Sequence, residues 1–284
     1  MSKATQQDID YSISMITDRL NIGDFSNANL GINAVLKQFP KNDKLLELQR
    51  HIHNEITVKK LPGPNYLEWL QWFHEKKDPH TYVEIGVESG QSLQYAKKRA
   101  FAIGIDPEPK IVYNINAWSR IFKMTSDDFF AKYNLKTELG TRCVDLSFID
   151  GLHTFDQTLT DFMNIEKYSK KDTIVLFHDV YPAIPETATR ERDTIYWAGD
   201  TWKIVPILEK YRPDLTIRII PAYPTGLAMV TNLDSHSTTL VDNFSTIVSE
   251  MMDSKFENYL PKDLIVNEFD IINELLFNNG EHNE

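Results

Sequence analysis

The order of apolar segments predicts an α/β protein on a mostly parallel seven-stranded sheet, with a late antiparallel hairpin and an N-terminal helical extension. Three observations carry that reading. Short apolar runs alternate with helical stretches between Tyr66 and Phe177, which is the grammar of a parallel sheet covered by helices on both faces. Two late strands, Thr216–Ile220 and Leu227–Thr231, are joined only by Pro221-Ala222-Tyr223-Pro224-Thr225-Gly226, so they pair antiparallel. The first sixty residues place apolar side chains at helical spacing instead.

In that extension Ile9, Ile13, Ile16 and Leu20 mark one helix, Leu30, Ala34 and Val35 a second, and Leu45, Leu48 and Ile52 a third. Gly23-Asp24 and Pro40-Lys41-Asn42-Asp43 are the turns, with Asp24 and Asp43 placed to cap the helices that follow. Residues 1–60 thus look like one tetratricopeptide-type hairpin plus a flanking helix. A solenoid buries its faces by stacking several repeats, and one alone points to capping the main domain. Recruitment of a protein partner through residues 1–60, or homo-oligomerisation, is the competing role.

Leu61-Pro62-Gly63-Pro64 is a stiff break, and the main domain is expected over 65–232. A short amphipathic helix (Leu67, Leu70, Phe73) leads into strands at Tyr82–Ile85, Ala102–Ile105, Arg120–Met124, Val144–Ile149 and Thr173–Phe177. A long polar loop and a helix near Trp202–Lys210 precede the hairpin. The tail, 233–284, is expected to be mainly helical and packed on the domain, with Ile247, Met251 and Met252 on one face and Leu264, Phe269, Ile272 and Leu276 on another.

Composition narrows the function. The 284 residues are 42% hydrophobic and 25% charged, enough for a globular core and too polar for a membrane protein. A formal net charge of −11 is a poor footprint for a phosphate backbone, so nucleic acid is not an expected partner. No apolar stretch approaches the ~20 residues that span a bilayer. One cysteine, Cys143, and a polar beginning without a signal-peptide core suit a reducing cytoplasm.

The chemistry gathers at strand ends. Tyr82-Val83-Glu84-Ile85-Gly86-Val87-Glu88-Ser89-Gly90-Gln91-Ser92 reads as a strand, a turn with two glycines and the start of a helix. Glycine lets a ligand approach the backbone there. Asp106 follows Gly86 by 20 residues at the end of the next strand, where a carboxylate accepts hydrogen bonds from ribose hydroxyls. A bound nucleoside is implied. Further on, Phe148-Ile149-Asp150-Gly151-Leu152-His153 and Phe177-His178-Asp179 end two more strands. Ligands of open parallel sheets bind outside the carboxyl ends of the strands, so Asp150, His153, His178 and Asp179 converge on one place. Such a set suits a divalent cation, Mg²⁺ or Mn²⁺ for carboxylates alone, and Mn²⁺, Fe²⁺ or Zn²⁺ once a histidine joins.

The E-x-G-x-x-x-G turn with Asp106 resembles the class I S-adenosylmethionine (SAM) methyltransferases, whose Rossmann-like fold the strand pattern also matches. The resemblance spans about residues 80–231. It implies that Glu84, Gly86, Val87, Glu88, Gly90 and Ser92 lie under the methionine part of SAM, that Asp106 holds the ribose, and that Ser126 and Asp127 flank the adenine, with Asp150 beside the methyl donor. The F-I-D-G-x-H and H-D wording is similar to the macrocin and mycinamicin sugar O-methyltransferases, which are metal dependent. That similarity implies Asp150 as a metal ligand, His153 as general base, and Asp179 with His178 completing the metal site. At one position the chain departs: the residue before the last Asp is acidic in the macrolide enzymes and is His178 here. Trp202-Lys203-Ile204-Val205-Pro206, Arg212-Pro213-Asp214-Leu215 and Pro224-Thr225-Gly226-Leu227 are similar to segments of bacterial members of this group.

The expected activity is methyl transfer from SAM to a hydroxyl of a small or glycosidic acceptor, assisted by a divalent metal. An alcohol is a weak nucleophile at neutral pH, which a metal or a histidine base remedies. The loop from Tyr181 to Trp202 carries Arg190, Arg192, Tyr196, Trp197, Asp200 and Trp202, with aromatics suited to a ring and arginines suited to a carboxylate or phosphate. Its aromatics serve equally as anchors to the core. The competing functions are metal-free transfer through His153 and Asp150, a SAM-binding assembly protein without catalysis, and, more remotely, a hydroxylase.

Overall fold

The computed structural model describes residues 6–256, 262–266 and 268–278. Parts of the expected 1–60 and 233–284 segments lie outside the described residues. The sheet is built from β1 (Thr81–Ile85), β2 (Phe101–Asp106), β3 (Trp118–Lys123), β4 (Val144–Ile149), β5 (Ser169–His178), β6 (Thr216–Ile220) and β7 (Leu227–Thr231). Its order is β3-β2-β1-β4-β5-β7-β6, and β7 alone runs opposite to the other six strands. This is a Rossmann-like doubly wound fold, with the late hairpin closing one edge. β5 starts four residues earlier than its apolar run because Ser169 pairs with Val144 across a register shift between Val144 and Leu146.

Side-chain alternation divides the strands between two cores. Val83, Ile85, Ile103, Ile105, Val175 and Phe177 face the first core. There they meet α5 (Ser126–Lys132), α6 (Leu135–Glu138), α7 (Phe155–Glu166), α8 (Ile204–Tyr211) and α9 (Thr239–Met251). Tyr82, Leu146, Phe148 and Leu176 face the second core, against α4 (Tyr66–Lys77) and α10 (Phe269–Asn273). α7 shows the logic: Phe155, Leu159, Phe162 and Ile165 form one buried stripe. Each such side chain contributes roughly 1.5–3 kcal/mol by leaving water.

Several local expectations change. The helix expected after the glycine turn is reduced to a single 3-10 turn at Leu93–Tyr95, and Ser92 donates its hydroxyl to buried Glu84. In the tail, Leu240 and Ile247 are the buried residues of α9, while Met252 lies past its end and is exposed. Leu264 packs on the first core, whereas Phe269, Ile272 and Leu276 pack on the second.

The N-terminal segment forms α1 (Gln6–Asn21), α2 (Phe25–Leu36) and α3 (Asp43–Lys60). Asp24 caps α2 as expected. The cap of α3 is Asn42, one residue before Asp43, because Asn42 still has the extended backbone a cap requires and accepts from the Leu45 amide. α2 buries Ala28, Ile32 and Leu36 and leaves Leu30 66% exposed. The helix carries two apolar stripes, and packing between α1 and α3 selects the one containing the small Ala28. The inner side of this unit also covers Ala183 and Ile184 from the segment after β5. Polar ties reinforce that contact: Lys60 Nζ donates to the Ala183 carbonyl at 2.8 Å, and Asn29 and Asn33 both donate to Glu186. No described helix is long and apolar enough to cross a membrane.

Candidate active site

Strand order reverses between β1 and β4, and a crevice opens outside the carboxyl ends of the strands at such a point. A cavity of about 800 Å³ lies there. Of the residues singled out from sequence, Gly86, Val87, Glu88, Ser92, Asp106, Ser126, Asp127, Asp150, His153, His178 and Asp179 line it. Glu84 and Gly90 do not. Glu84 is fully buried beneath the turn and accepts hydrogen bonds from Tyr82 and Ser92, each at 2.6 Å. Burial pushes its carboxyl up to about 8.

Gly86 has φ +88°, and a Cβ there would overlap the Asp150 carbonyl, so only glycine allows the β1 turn to lie against the end of β4. Asp106 accepts from the Glu88 amide at 2.8 Å through one oxygen and from the Glu108 amide at 2.7 Å through the other. Each oxygen can accept a further bond, and Asp106 lines the cavity. Thr125 caps α5 and sets Ser126 and Asp127 at its start. Sequence reasoning missed their neighbours Gln157 and Asp161, one turn apart on α7. Gln157 Nε2 is 3.2 Å from Ser126 Oγ and 3.1 Å from both Asp127 Oδ1 and Asp161 Oδ1. Burial pushes the Asp161 carboxyl up to about 7.

At the other end of the cavity, His153 Nδ1 is 2.9 Å from Asp179 Oδ2, and its Nε2 is 3.4 Å from Asp150 Oδ1. His178 Nδ1 is 3.3 Å from Asp150 Oδ1. The angles do not make hydrogen bonds of all these approaches. Asp150 Oδ1, His153 Nδ1 and Asp179 Oδ2 are buried and have no hydrogen-bond partner. Those three residues offer ligand atoms within 4.8 Å of one another. Buried polar atoms of this kind are costly unless something joins them, and the donor set, two carboxylates and an imidazole, fits a divalent cation. The expected set was Asp150, His178 and Asp179; the structure brings His153 into the trio and sets His178 behind it, under the ring of Tyr66 at 4.3 Å.

The electrostatics agree with the geometry. Burial works against charge on His153, but Asp179 and Asp150 outweigh it and push the imidazole up to about 11. Burial likewise opposes ionisation of Asp150, yet His178 and His153 hold its carboxyl well below the usual range. His178 is raised against its burial by Asp150 and Asp179. Two carboxylates and two imidazoles balance only if both rings are protonated or a divalent cation joins them.

The loop after β5 supplies the outer wall through Arg192, Ile195, Tyr196 and Trp197. Trp197 stacks on His153, ring centroids 5.3 Å apart and planes 10° from parallel. Trp202, by contrast, is an anchor, 2% exposed and donating to the Ala188 carbonyl. Arg190 pairs with Asp156 through both terminal nitrogens, each at 3.0 Å. Asp200, 1% exposed, caps α7 from outside the helix by accepting from the Phe155 amide at 3.0 Å. Its own amide donates to the His153 carbonyl at 3.1 Å. Gly199, Tyr66 and Thr225 are further residues missed from sequence. Thr225 donates to Asp179 and lies 3.3 Å from His178 Nε2. The Pro224-Thr225-Gly226 hairpin turn was the only signal for it.

Residues 83–180 match the family model described as a methyltransferase domain. The match takes in the glycine turn and the Asp150, His153, His178 and Asp179 cluster, and ends before the outer loop. No curated protein matches the chain. Among solved structures, the O-methyltransferase TomG from Streptomyces achromogenes, in complex with SAM, is 14% identical, with a TM-score of 0.46 over 64% of this chain and 88% of that one. An O-methyltransferase from Bacillus cereus in complex with S-adenosylhomocysteine (SAH) is 14% identical, TM-score 0.46, over 70% and 96%. The SAH-bound methyltransferase PaMTH1 of Podospora anserina is 16% identical, TM-score 0.47, over 64% and 86%.

Proposed function

We propose that this chain moves the methyl group of SAM to a hydroxyl of a small or glycosidic acceptor, with a divalent ion held at the Asp150 and Asp179 carboxylates. A methyltransferase domain occupies residues 83–180. The observation that carries the finer reading is the meeting, in one cavity, of a glycine turn with Asp106 and a set of unpartnered buried ligand atoms. Bound there, SAM supplies an electrophilic methyl carbon, and a divalent ion supplies a Lewis acid that lowers the pKa of an acceptor hydroxyl.

The residues have separate tasks. Asp106 orients the ribose, Ser126 and Asp127 lie at the adenine end, and Tyr66 and Trp197 shield the reacting end from water. Transfer forms an oxygen–carbon bond and breaks the carbon–sulfur bond, the electron pair staying on sulfur, so the hydroxyl proton must leave. With a divalent ion on the carboxylates that otherwise hold its ring protonated, His153 would be neutral and placed to take it. Its side chain is 28% exposed to the cavity, against 8% for His178. Holding nucleophile and methyl group in line is worth several kcal/mol.

A second assignment of His153 has its own support: its unpartnered Nδ1 lies with the two carboxylates, which suits a third metal ligand, and the proton then passes to His178. Calorimetric titration of SAH and Mn²⁺ into the metal-stripped protein tests both. Micromolar SAH binding that Asp106→Ala abolishes, with Mn²⁺ binding that Asp179→Asn abolishes, is the expected result. Mn²⁺ affinity retained in His153→Gln assigns the base, and affinity lost assigns the ligand. Absence of SAH binding in the unaltered protein overturns the reading altogether.

A further inference from the structure

Arg192 is the only lysine or arginine among the residues lining the cavity. Carboxylates line the cavity elsewhere, yet none pairs with Arg192 among the described residues, in contrast to Arg190 and its Asp156. The Arg192 guanidinium lies over the Trp197 indole, 5.7 Å from the ring centroid, and its one hydrogen bond is a long 3.4 Å contact to the Ile195 carbonyl. An indole beneath a guanidinium favours the charge and limits its motion while leaving the donor fork open. Two exposed aliphatic side chains, Leu152 at 64% and Ile195 at 41%, line the same cavity.

We infer that the acceptor carries an anionic group, a carboxylate or phosphate, which the Arg192 fork receives while the acceptor's hydroxyl sits at His153. The inference rests on the methyl-transfer reading above. A planar fork with parallel N–H donors matches both anions bidentately, and Leu152 and Ile195 are covered by the body of the acceptor. The column His153, Trp197, Arg192 sets the scale. The two ring distances, 5.3 and 5.7 Å, together set the upper bound on the span from hydroxyl to anion. SAM's own amino-acid carboxylate has the same chemistry, so the test must separate the two sources.

The full chain, loaded with SAH, is titrated calorimetrically at fixed ionic strength with methyl β-glucopyranoside, with the matching methyl glucuronide and with glucose 6-phosphate. In parallel, SAH and 5′-methylthioadenosine, which lacks the amino-acid carboxylate, are titrated into the empty protein. Each series is repeated with Arg192→Gln, a rim substitution checked by its melting temperature. Anionic probes are expected to bind about tenfold or more tighter than the neutral glycoside, an advantage that Arg192→Gln erases while SAH affinity stays unchanged. No advantage for the anionic probes overturns the inference. A loss of SAH affinity in Arg192→Gln, with methylthioadenosine unaffected, assigns the arginine to the cofactor and overturns it too. Failure of SAH to bind the unaltered protein is a different result, the failure of the methyl-transfer reading itself.

Discussion

Gly199 lies against His153 so closely that a Cβ at position 199 would overlap the His153 carbonyl and crowd its Cβ. From the opposite direction, Gly86 makes the same approach to the Asp150 carbonyl. The Asp150–His153 turn is therefore held between the β1 turn and the outer loop. Gly199→Ala, strained further by a φ of +67°, must displace His153 from its present position beside Asp179. Methyl transfer is expected to fall on the order of 10–100-fold, the size of effect that ångström-scale misplacement brings. SAH affinity should stay within about twofold, since the atoms a Cβ at position 199 would meet belong to His153 and not to the glycine turn or Asp106. Parallel turnover and SAH titrations check it, and unchanged turnover would show that the loop yields instead.

A divalent ion that binds only the folded state stabilises it by mass action. With Mn²⁺ at one hundred times its dissociation constant, the gain is about 2.7 kcal/mol. Thermal melts with Mn²⁺ and with chelator should differ accordingly in the unaltered protein and coincide in Asp179→Asn. Coincident melts in both proteins would favour transfer without a metal.

Two buried groups give opposite pH dependences of stability. Burial lowers His74 to about 3 from its ordinary 6.5, and both its ring nitrogens lack partners. Below pH 6.5 the unfolded chain takes up a proton that the folded chain refuses, so this group's contribution is complete above 6.5 and is lost as pH falls. His74→Phe should therefore gain on the unaltered protein by up to about 1.4 kcal/mol per pH unit on acidification. Glu84 runs the other way. Raised to about 8, it stays protonated in the folded chain while the unfolded carboxyl ionises from about 4.5 upward, so stability is lost as pH rises through that window. Glu84→Gln should gain relative to the unaltered protein between those values. Urea unfolding of all three proteins across pH 4.5–8 reads both slopes.

Arg212, 2% exposed, donates to both oxygens of buried Glu166 at 2.8 and 2.7 Å and also to Asp214. Arg212→Met leaves Glu166 uncompensated and is expected to cost roughly 3–5 kcal/mol. Adding Glu166→Gln should recover more than half of that in chemical denaturation, because the loss lies mainly in the stranded charge.

Local signals were the legible part of the fold. β4, β6 and β7 have the bounds their apolar runs and turns predict, and the glycine turn, Asp106, Asp150 and Asp179 stand at strand ends as expected. The misjudged elements were those where one helix carries two usable faces, as α2 does, or where a side chain at a helix start is engaged by a partner in the sheet, as Ser92 is by Glu84. Neither competition is visible in a window of a few residues.

The sequence by itself determined the alternation of strands and helices and which carboxylates meet outside the sheet, because period-two burial, turn chemistry and strand-end position are properties of short segments. Only the tertiary structure decided that His153 joins the two carboxylates, that Arg190 is tied to Asp156 while Arg192 is left over the indole, and that Trp197 faces the site while Trp202 anchors the loop. Those outcomes depend on partners distant in the chain, such as Asp200 capping the helix at Phe155, 45 residues away. Hydrogen-bond and charge pairing over such separations is selected by packing, which a local pattern does not encode.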